Sequence, residues 1–155
     1  MGLVDFLSRE LRVFLLSTLP IIELRGAIPY GIAVGMNPIH AAFLCIVGSM
    51  VPVPFLLFLL KPFFTKLRRI YMIREFEIWL IDRTERRAGN IKKYSILGLV
   101  LFVAIPLPST GVWTGAIAAA IFNLRSDHAF FAILLGNIIA AILLTILSRL
   151  AILNL

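Results

Sequence analysis

Polar and apolar positions divide the chain into two similar halves, each a broken apolar segment followed by a continuous one. The first half opens on a short amphipathic piece, with Leu3, Phe6 and Leu7 set against Asp5, Arg9 and Glu10. Residues 13–36 follow, a run of 24 whose only charges are Glu23 and Arg25 and which is interrupted by Pro20, Gly26, Pro29, Gly31 and Gly35. Residues 39–60 then read as one continuous apolar segment. In the second half, residues 96–124 are broken at Pro106, Pro108, Gly111 and Gly115, and residues 129–147 are continuous. The continuous segments approach the ~20 residues that cross a bilayer as a helix. The broken segments, at 24 and 29 residues, are too short for two full crossings and a turn. They fit two half-length helices that enter and leave by the same face. Irregular backbone at membrane depth is tolerated only where it is buried in protein or lines a cavity.

A shift of 88 positions superposes the halves without a gap. Leu19-Pro20 falls on Leu107-Pro108, His40-Ala41-x-Phe43 on His128-Ala129-x-Phe131, Gly48 on Gly136 and Lys61 on Arg149. Paired, Pro/Gly-interrupted apolar segments at matching positions are a transporter signature. With re-entrant broken segments each copy crosses the bilayer once, so the copies are inverted and their hairpin tips meet near the midplane. If each broken segment instead spans as a kinked helix, the copies are parallel. The pattern favours the inverted arrangement: an all-α integral membrane protein of two inverted repeats, each a re-entrant hairpin and a transmembrane helix. Repeat one covers about residues 1–60 and repeat two about 94–155, in a single membrane domain.

Composition agrees. Hydrophobic residues make up 61% of the 155 residues and mean hydropathy is +1.01, against the 45–50% apolar content of a soluble domain. The net charge of +7 is concentrated in residues 61–93, which hold ten of fifteen basic residues and four of eight acids. Basic residues between apolar segments mark a cytoplasmic side, so the charge reports topology rather than nucleic-acid binding. Phe63, Phe64, Leu67, Ile70, Tyr71, Phe76 and Trp79 interleave with Lys66, Arg68, Arg69 and Arg74 there, the pattern of an amphipathic interfacial helix. The start of the chain has neither a secretory signal nor a myristoylation motif. A lone Cys45 forms no internal disulfide, and no cofactor motif occurs.

Two constellations carry candidate chemistry. In Pro20-Ile-Ile-Glu23-Leu-Arg25-Gly26-Ala-Ile-Pro29-Tyr30-Gly31, two ionisable groups lie at expected membrane depth, where each costs about 2.5–3.5 kcal/mol on insertion scales. Desolvation favours a protonated carboxyl and a neighbouring guanidinium an ionised one. A carboxyl between those influences suits proton coupling, and the planar fork of Arg25 suits phosphate or carboxylate. The bland alternative is a mutual salt bridge that lets both charges be buried. In Pro106-Leu-Pro108-Ser109-Thr110-Gly111-Val-Trp113-Thr114-Gly115, Ser109 and Thr110 offer hydroxyls and an unwound backbone offers amides to an anion. Gly111, Gly115 and the alanines after them permit close helix packing, and Trp113 could instead anchor at the interface. His40 and His128, at opposite faces in inverted copies, suit interfacial hydrogen bonding better than a shared metal site. Asn123 and Asn137 read as cavity polar groups or as glue between helices. No hydrolase, metalloprotease or nucleotide-binding motif is present; Ser109 with His128 lacks an orienting carboxylate, so an enzyme is not expected.

Glu23-Leu-Arg25-Gly26-Ala-Ile-Pro29, together with Pro106-Leu-Pro108-x-Thr110-Gly111-x-Trp113-Thr114-Gly115, resembles the bacterial and archaeal small multidrug export protein family, which is distantly related to the DedA/VTT superfamily. The resemblance covers essentially the whole chain. It implies re-entrant hairpins packed tip to tip in a prokaryotic cell membrane, with charged hairpin residues serving proton-dependent transport or scrambling of lipids, polyprenyl phosphates included. Glu23 and Arg25 occupy comparable motif positions, whereas the second motif here lacks the arginines of the DedA pattern. The expected function is a proton-coupled transporter or lipid scramblase for an anionic headgroup or small anion, with a homodimer thickening the wall of the pathway. The alternatives are a drug exporter for hydrophobic cations, and a non-transporting accessory protein that binds anionic lipid through its basic linker.

Overall fold

A computed structural model describes residues 3–67, 91–107 and 110–153. Most of the basic linker, and with it most of the amphipathic interfacial helix expected there, lies outside the described residues, as do Pro108 and Ser109. Seven helices are described: α1 (Leu3–Thr18), α2 (Glu23–Ala33), α3 (Pro38–Met50), α4 (Pro52–Leu67), α5 (Ile91–Ala104), α6 (Val112–Ile121) and α7 (Ser126–Leu153). No strand occurs among the described residues.

The breaks follow from local chemistry, and two differ from the sequence expectation. The amphipathic start and the first arm of the broken segment form one continuous helix, α1. The chain then turns through residues 19–22 around Pro20, with the Glu23 amide closing on Leu19 O at 3.0 Å. Pro29, expected to help break the segment, sits inside α2. It withholds the amide that would close on the Arg25 carbonyl without ending the helix. The segment 39–60 is divided at Val51, whose amide closes on Gly48 O at 3.3 Å in a three-residue turn. Pro52 and Pro54 have no amides to extend α3, and Pro52 restarts the chain as α4.

The offset of 88 recurs in backbone detail. Both α2 and α6 end in the same cap, with Met36 N on Gly31 O and Leu124 N on Ala119 O, each at 3.0 Å. The left-handed position of that cap is Gly35 (φ 82°) in the first copy and Asn123 (φ 50°) in the second, the two residue types that tolerate it. Asn37 caps α3 by accepting the Ile39 amide at 3.0 Å, and Pro38 takes the first helical position.

Two buried clusters hold these elements together. One gathers Val13, Leu24, Ala27, Ile28, Met36, Ala41 and Cys45 with Ala140 and Ala141. The other gathers Leu99, Val103, Val112, Ala116, Ala119, Ala129, Ala132 and Ile133 with Met50, Val53 and Leu57. Each therefore combines one copy's helical pair and the start of its long segment with the far part of the other copy's long segment. Leu24/Val112, Ile28/Ala116, Ala41/Ala129, Cys45/Ile133 and Val53/Ala141 are matched positions across the two clusters. The long segments run antiparallel: Asn137 Nδ2 donates to Ser49 Oγ at 2.8 Å, and Lys61 Nζ to Ser126 Oγ at 3.5 Å. Gly48 and Gly136 let the long segments lie close against α1 and α5 respectively. A Cβ at Gly136 would lie 2.7 Å from Val100 O, and one at Gly48 would overlap Ser17 Oγ.

Two stretches, Pro38–Phe63 and Ser126–Ala151, are each 26 residues and apolar enough to cross a membrane. Ile39, Phe55, Phe58 and Phe131 are more than half exposed along them, an outward surface suited to lipid. By contrast α2 and α6 have 11 and 10 residues, which at 1.5 Å per residue makes them about 16 and 15 Å long, half of a ~30 Å hydrocarbon core.

Ser49 and Asn137 are both buried and bonded to each other, so a double-mutant cycle with Ser49→Ala and Asn137→Ala, read by reversible unfolding in bilayer discs, is expected to give a coupling of about 0.6 kcal/mol, with a ceiling near 1.7 kcal/mol. Additive effects would show that the contact does not join the two long segments.

Candidate functional site

Glu23 begins α2 with φ at 46°, a left-handed conformation that costs a non-glycine residue about 1–2 kcal/mol. Such strain persists only where the surroundings hold it in place. The surroundings here are the second helical pair. Glu23 is buried, and its Oε1 accepts the backbone amide of Trp113 at 3.3 Å. Trp113 is the second residue of α6, whose N-cap residue, Gly111, has no side chain to offer. The carboxylate thus performs from another element what a capping Asp or Ser does locally, and its charge complements the positive end of the α6 dipole. Gly111 makes room for it, because a Cβ there would overlap Glu23 Oε2. The Gly111 amide donates to Thr114 Oγ1 at 2.9 Å, so the first turn of α6 is closed from both sides.

Arg25 turns elsewhere. Two residues apart on a helix, the side chains diverge by more than half a turn, and no ion pair between Glu23 and Arg25 is found among the described residues. The expected alternative of a mutual salt bridge is therefore corrected. Arg25 Nη2 donates to Thr110 Oγ1 at 2.6 Å, and the Thr110 hydroxyl faces Ile105 O and Leu107 O at 2.7 and 3.0 Å. Trp113 Nε1 donates to Thr18 O at 3.2 Å, meeting one of the carbonyls left over at the end of α1. Three hydrogen bonds, 18–113, 23–113 and 25–110, join the turn of the first helical pair to that of the second.

Of the residues singled out from the sequence, Glu23, Arg25, Thr110 and Gly111 come together. Pro20 and Pro106 lie in the two turns, beside the site rather than in it. Gly26 is in the first turn of α2, Gly31 packs on Ala41 and Val13, and Gly115 on Val103 and Ile133. Ser109 and Pro108 fall outside the described residues. Trp113 is tied into the site by its indole and its amide. Asn137 is glue between helices, and Asn123 is a helix cap. His40 hydrogen-bonds Glu10 at 2.8 Å. That pair lines a cleft of about 660 Å³ with Arg9, Asn37 and Phe43, between the middle of α1 and the start of α3. Among the described residues, His, Cys, Asp and Glu form no group of three or more suited to a metal ion.

Sequence reasoning missed the Trp113 amide, the Thr18 carbonyl and the Ser49–Asn137 bond. The last had a legible mark: polar residues at matched positions in otherwise apolar helices. Backbone groups have none.

Gly111→Ala is expected to lose roughly 1–3 kcal/mol of stability through overpacking, and much less in a Glu23→Gly background where the competing carboxylate is gone. Thermal unfolding of the two singles and the double in detergent measures this; equal losses in both backgrounds would separate Gly111 from Glu23.

No curated protein and no solved structure matches the chain. A family model described as "Putative small multi-drug export protein" matches residues 23–143, from the strained glutamate through the first candidate span and into the second. Because that match covers most of the sequence, the chain belongs to the small multi-drug export family.

Proposed function

We propose that this membrane protein is a transporter whose site lies where α2 and α6 meet, and that it moves a monoanionic group, either a lipid headgroup or a free small anion, together with a proton. The observation that carries this reading is the convergence of two half-length helices, each with its N-terminal end at Glu23 and Gly111, on one buried carboxylate beside one arginine. Helix N-termini that meet inside a membrane favour anionic substrate groups. In this reading α1–α2 and α5–α6 are re-entrant hairpins of inverted repeats, a reading supported by the lengths of α2 and α6 and by the antiparallel long segments. Arg25 engages the anion, Thr110 lines the opposite tip, and Glu23 carries the proton. No enzymatic step is needed.

The family's description favours a second reading, export of hydrophobic cations, in which Glu23 binds drug and proton in turn. The guanidinium of Arg25 next to the carboxylate works against a cationic substrate, so the anion reading ranks first.

Proteoliposomes separate the readings. For an anion site, Arg25→Ala is expected to reduce anion flux at least about tenfold, a loss of about 1.4 kcal/mol in substrate stabilisation, while Glu23→Gln removes its dependence on a proton gradient. Wild-type flux and coupling in both variants, with normal insertion, would overturn the proposal. Uptake of a cationic dye that is lost in Glu23→Gln, with no anion flux, would establish the second reading instead. Labelled phosphatidylglycerol translocation and dimethyl phosphate flux, assayed in parallel, tell a lipid headgroup from a free anion.

A further inference from the structure

Resting on the anion reading above, we infer that the carboxylate of Glu23 is the resident occupant of the anion position, a tethered monoanion that a substrate monoanion replaces only when Glu23 is protonated. Three features of the site lead there. The carboxylate is bonded to the Trp113 amide at the start of α6, the place an incoming anion would take. It fills a notch that exists because residue 111 has no side chain, so carboxylate and substrate exclude each other by volume. It is also held there at the expense of a left-handed backbone at Glu23, which does not suit a side chain merely filling space.

Charge then dictates the coupling. Arg25 is the one charged side chain that bears on Glu23 among the described residues. From α1 the site meets the Thr18 carbonyl, from the α5–α6 turn Thr110, and from α6 Trp113, all neutral; the thiol of Cys45 on α3 lies in the cluster behind Leu24. With Glu23 ionised and no substrate, Arg25 and Glu23 sum to zero. With Glu23 protonated and a monoanion bound, the sum is again zero. The two mixed states carry a net charge at membrane depth and are each disfavoured. Proton and monoanion therefore bind as one neutral unit: a proton from water joins the carboxylate, the neutral acid leaves the notch, and the anion enters opposite Arg25. No covalent bond of the substrate changes. The expected stoichiometry is one proton per monoanion.

The test uses Trp113 as reporter. In full-length protein carrying Trp79→Phe, Trp113 is the sole tryptophan, and its fluorescence reads occupancy beside its own amide. Dimethyl phosphate serves as a probe whose charge does not change across the range in which carboxyl groups at such sites titrate. Its apparent affinity is expected to weaken by about tenfold for each pH unit above the titration of Glu23, because one proton accompanies each anion. In Glu23→Gln and in Glu23→Gly, which also relieves the left-handed backbone, binding is expected to become independent of pH. At a pH above the titration of Glu23, formate should raise the unfolding temperature of Glu23→Gly by taking the vacated notch, and should leave the parent unchanged. If only vesicles containing phosphatidylglycerol, and not dimethyl phosphate, produce the pH-dependent signal, the occupant is a lipid headgroup and the inference stands. Binding that stays pH-dependent in both Glu23 variants, or no anion response in a folded Glu23→Gly protein, overturns it. Transport failure is distinguishable: anion binding with this pH pattern but no flux in proteoliposomes would sink the transporter reading and leave the tethered occupant intact.

Discussion

The contact between the Glu23 carboxylate and the start of α6 is the constraint around which the two halves of the molecule are arranged. It joins residues 23 and 111, and the buried hydrogen bond between the long segments joins residues 49 and 137. Both pairs are 88 positions apart. Under the proposed inverted-repeat reading, a residue that touches its own counterpart is what a two-fold relation produces for positions near its axis, as in an isologous interface. Such positions cannot both carry the same bulky charge, because two carboxylates would meet at one point and one would have to stay protonated. The glutamate in one copy and the glycine in the other resolve this: the second copy gives up its side chain so that the first can occupy the centre. Ser49 and Asn137 solve the milder version of the problem with two different polar groups that fit as acceptor and donor.

That geometry explains how much could be read from the sequence. The spans, the broken segments, the offset of 88 and the grouping of Glu23 and Arg25 with Thr110 follow from side-chain pattern, and the described residues bring those three together; Gly111, read as hairpin backbone, joins them only in the structure. The sequence does not reveal what Glu23 does there. Its partner is a backbone amide, and every residue but proline has one. Its left-handed conformation is a product of packing, not of propensity. The division of α3 from α4 was available in Pro52 and Pro54 but hidden by the uniform hydrophobicity around them, whereas Pro29 looked like a break and is absorbed into α2 because the helix continues on its other amides.

The two clusters and the tip contacts differ in kind, and the difference bears on motion. Each cluster is apolar and joins one copy's helices to the far part of the other's long segment, so neither can come apart without exposing much of the other. The tips are joined by three polar contacts, and a hydrogen bond contributes only about 0.5–1.5 kcal/mol net, somewhat more when charged. Separation of the tips therefore requires far less free energy than separation of the cores. The proposed transport, in which a central site faces one side and then the other, needs this ordering: weak, polar and reversible at the centre, apolar and permanent around it.

The same ordering bears on why the charges are unevenly distributed. Residues 96–124 contain no ionisable side chain at all, so the second helical pair contributes amides, a hydroxyl and an indole N–H, whose donors and acceptors keep their character at any physiological pH. All proton sensitivity near the centre is thereby confined to Glu23, against the fixed positive charge of Arg25. Had both copies kept a carboxylate, two coupled groups would titrate as a pair and the centre would pass through three charge states. With one carboxylate it passes through two, and under the proposed coupling each is neutral: Arg25 offsets the ionised carboxylate in one, and an incoming monoanion offsets Arg25 in the other. A scaffold matched at an offset of 88 but carrying an unmatched charge is therefore the arrangement that the proposed coupling requires, in which one proton decides between two neutral states within a membrane.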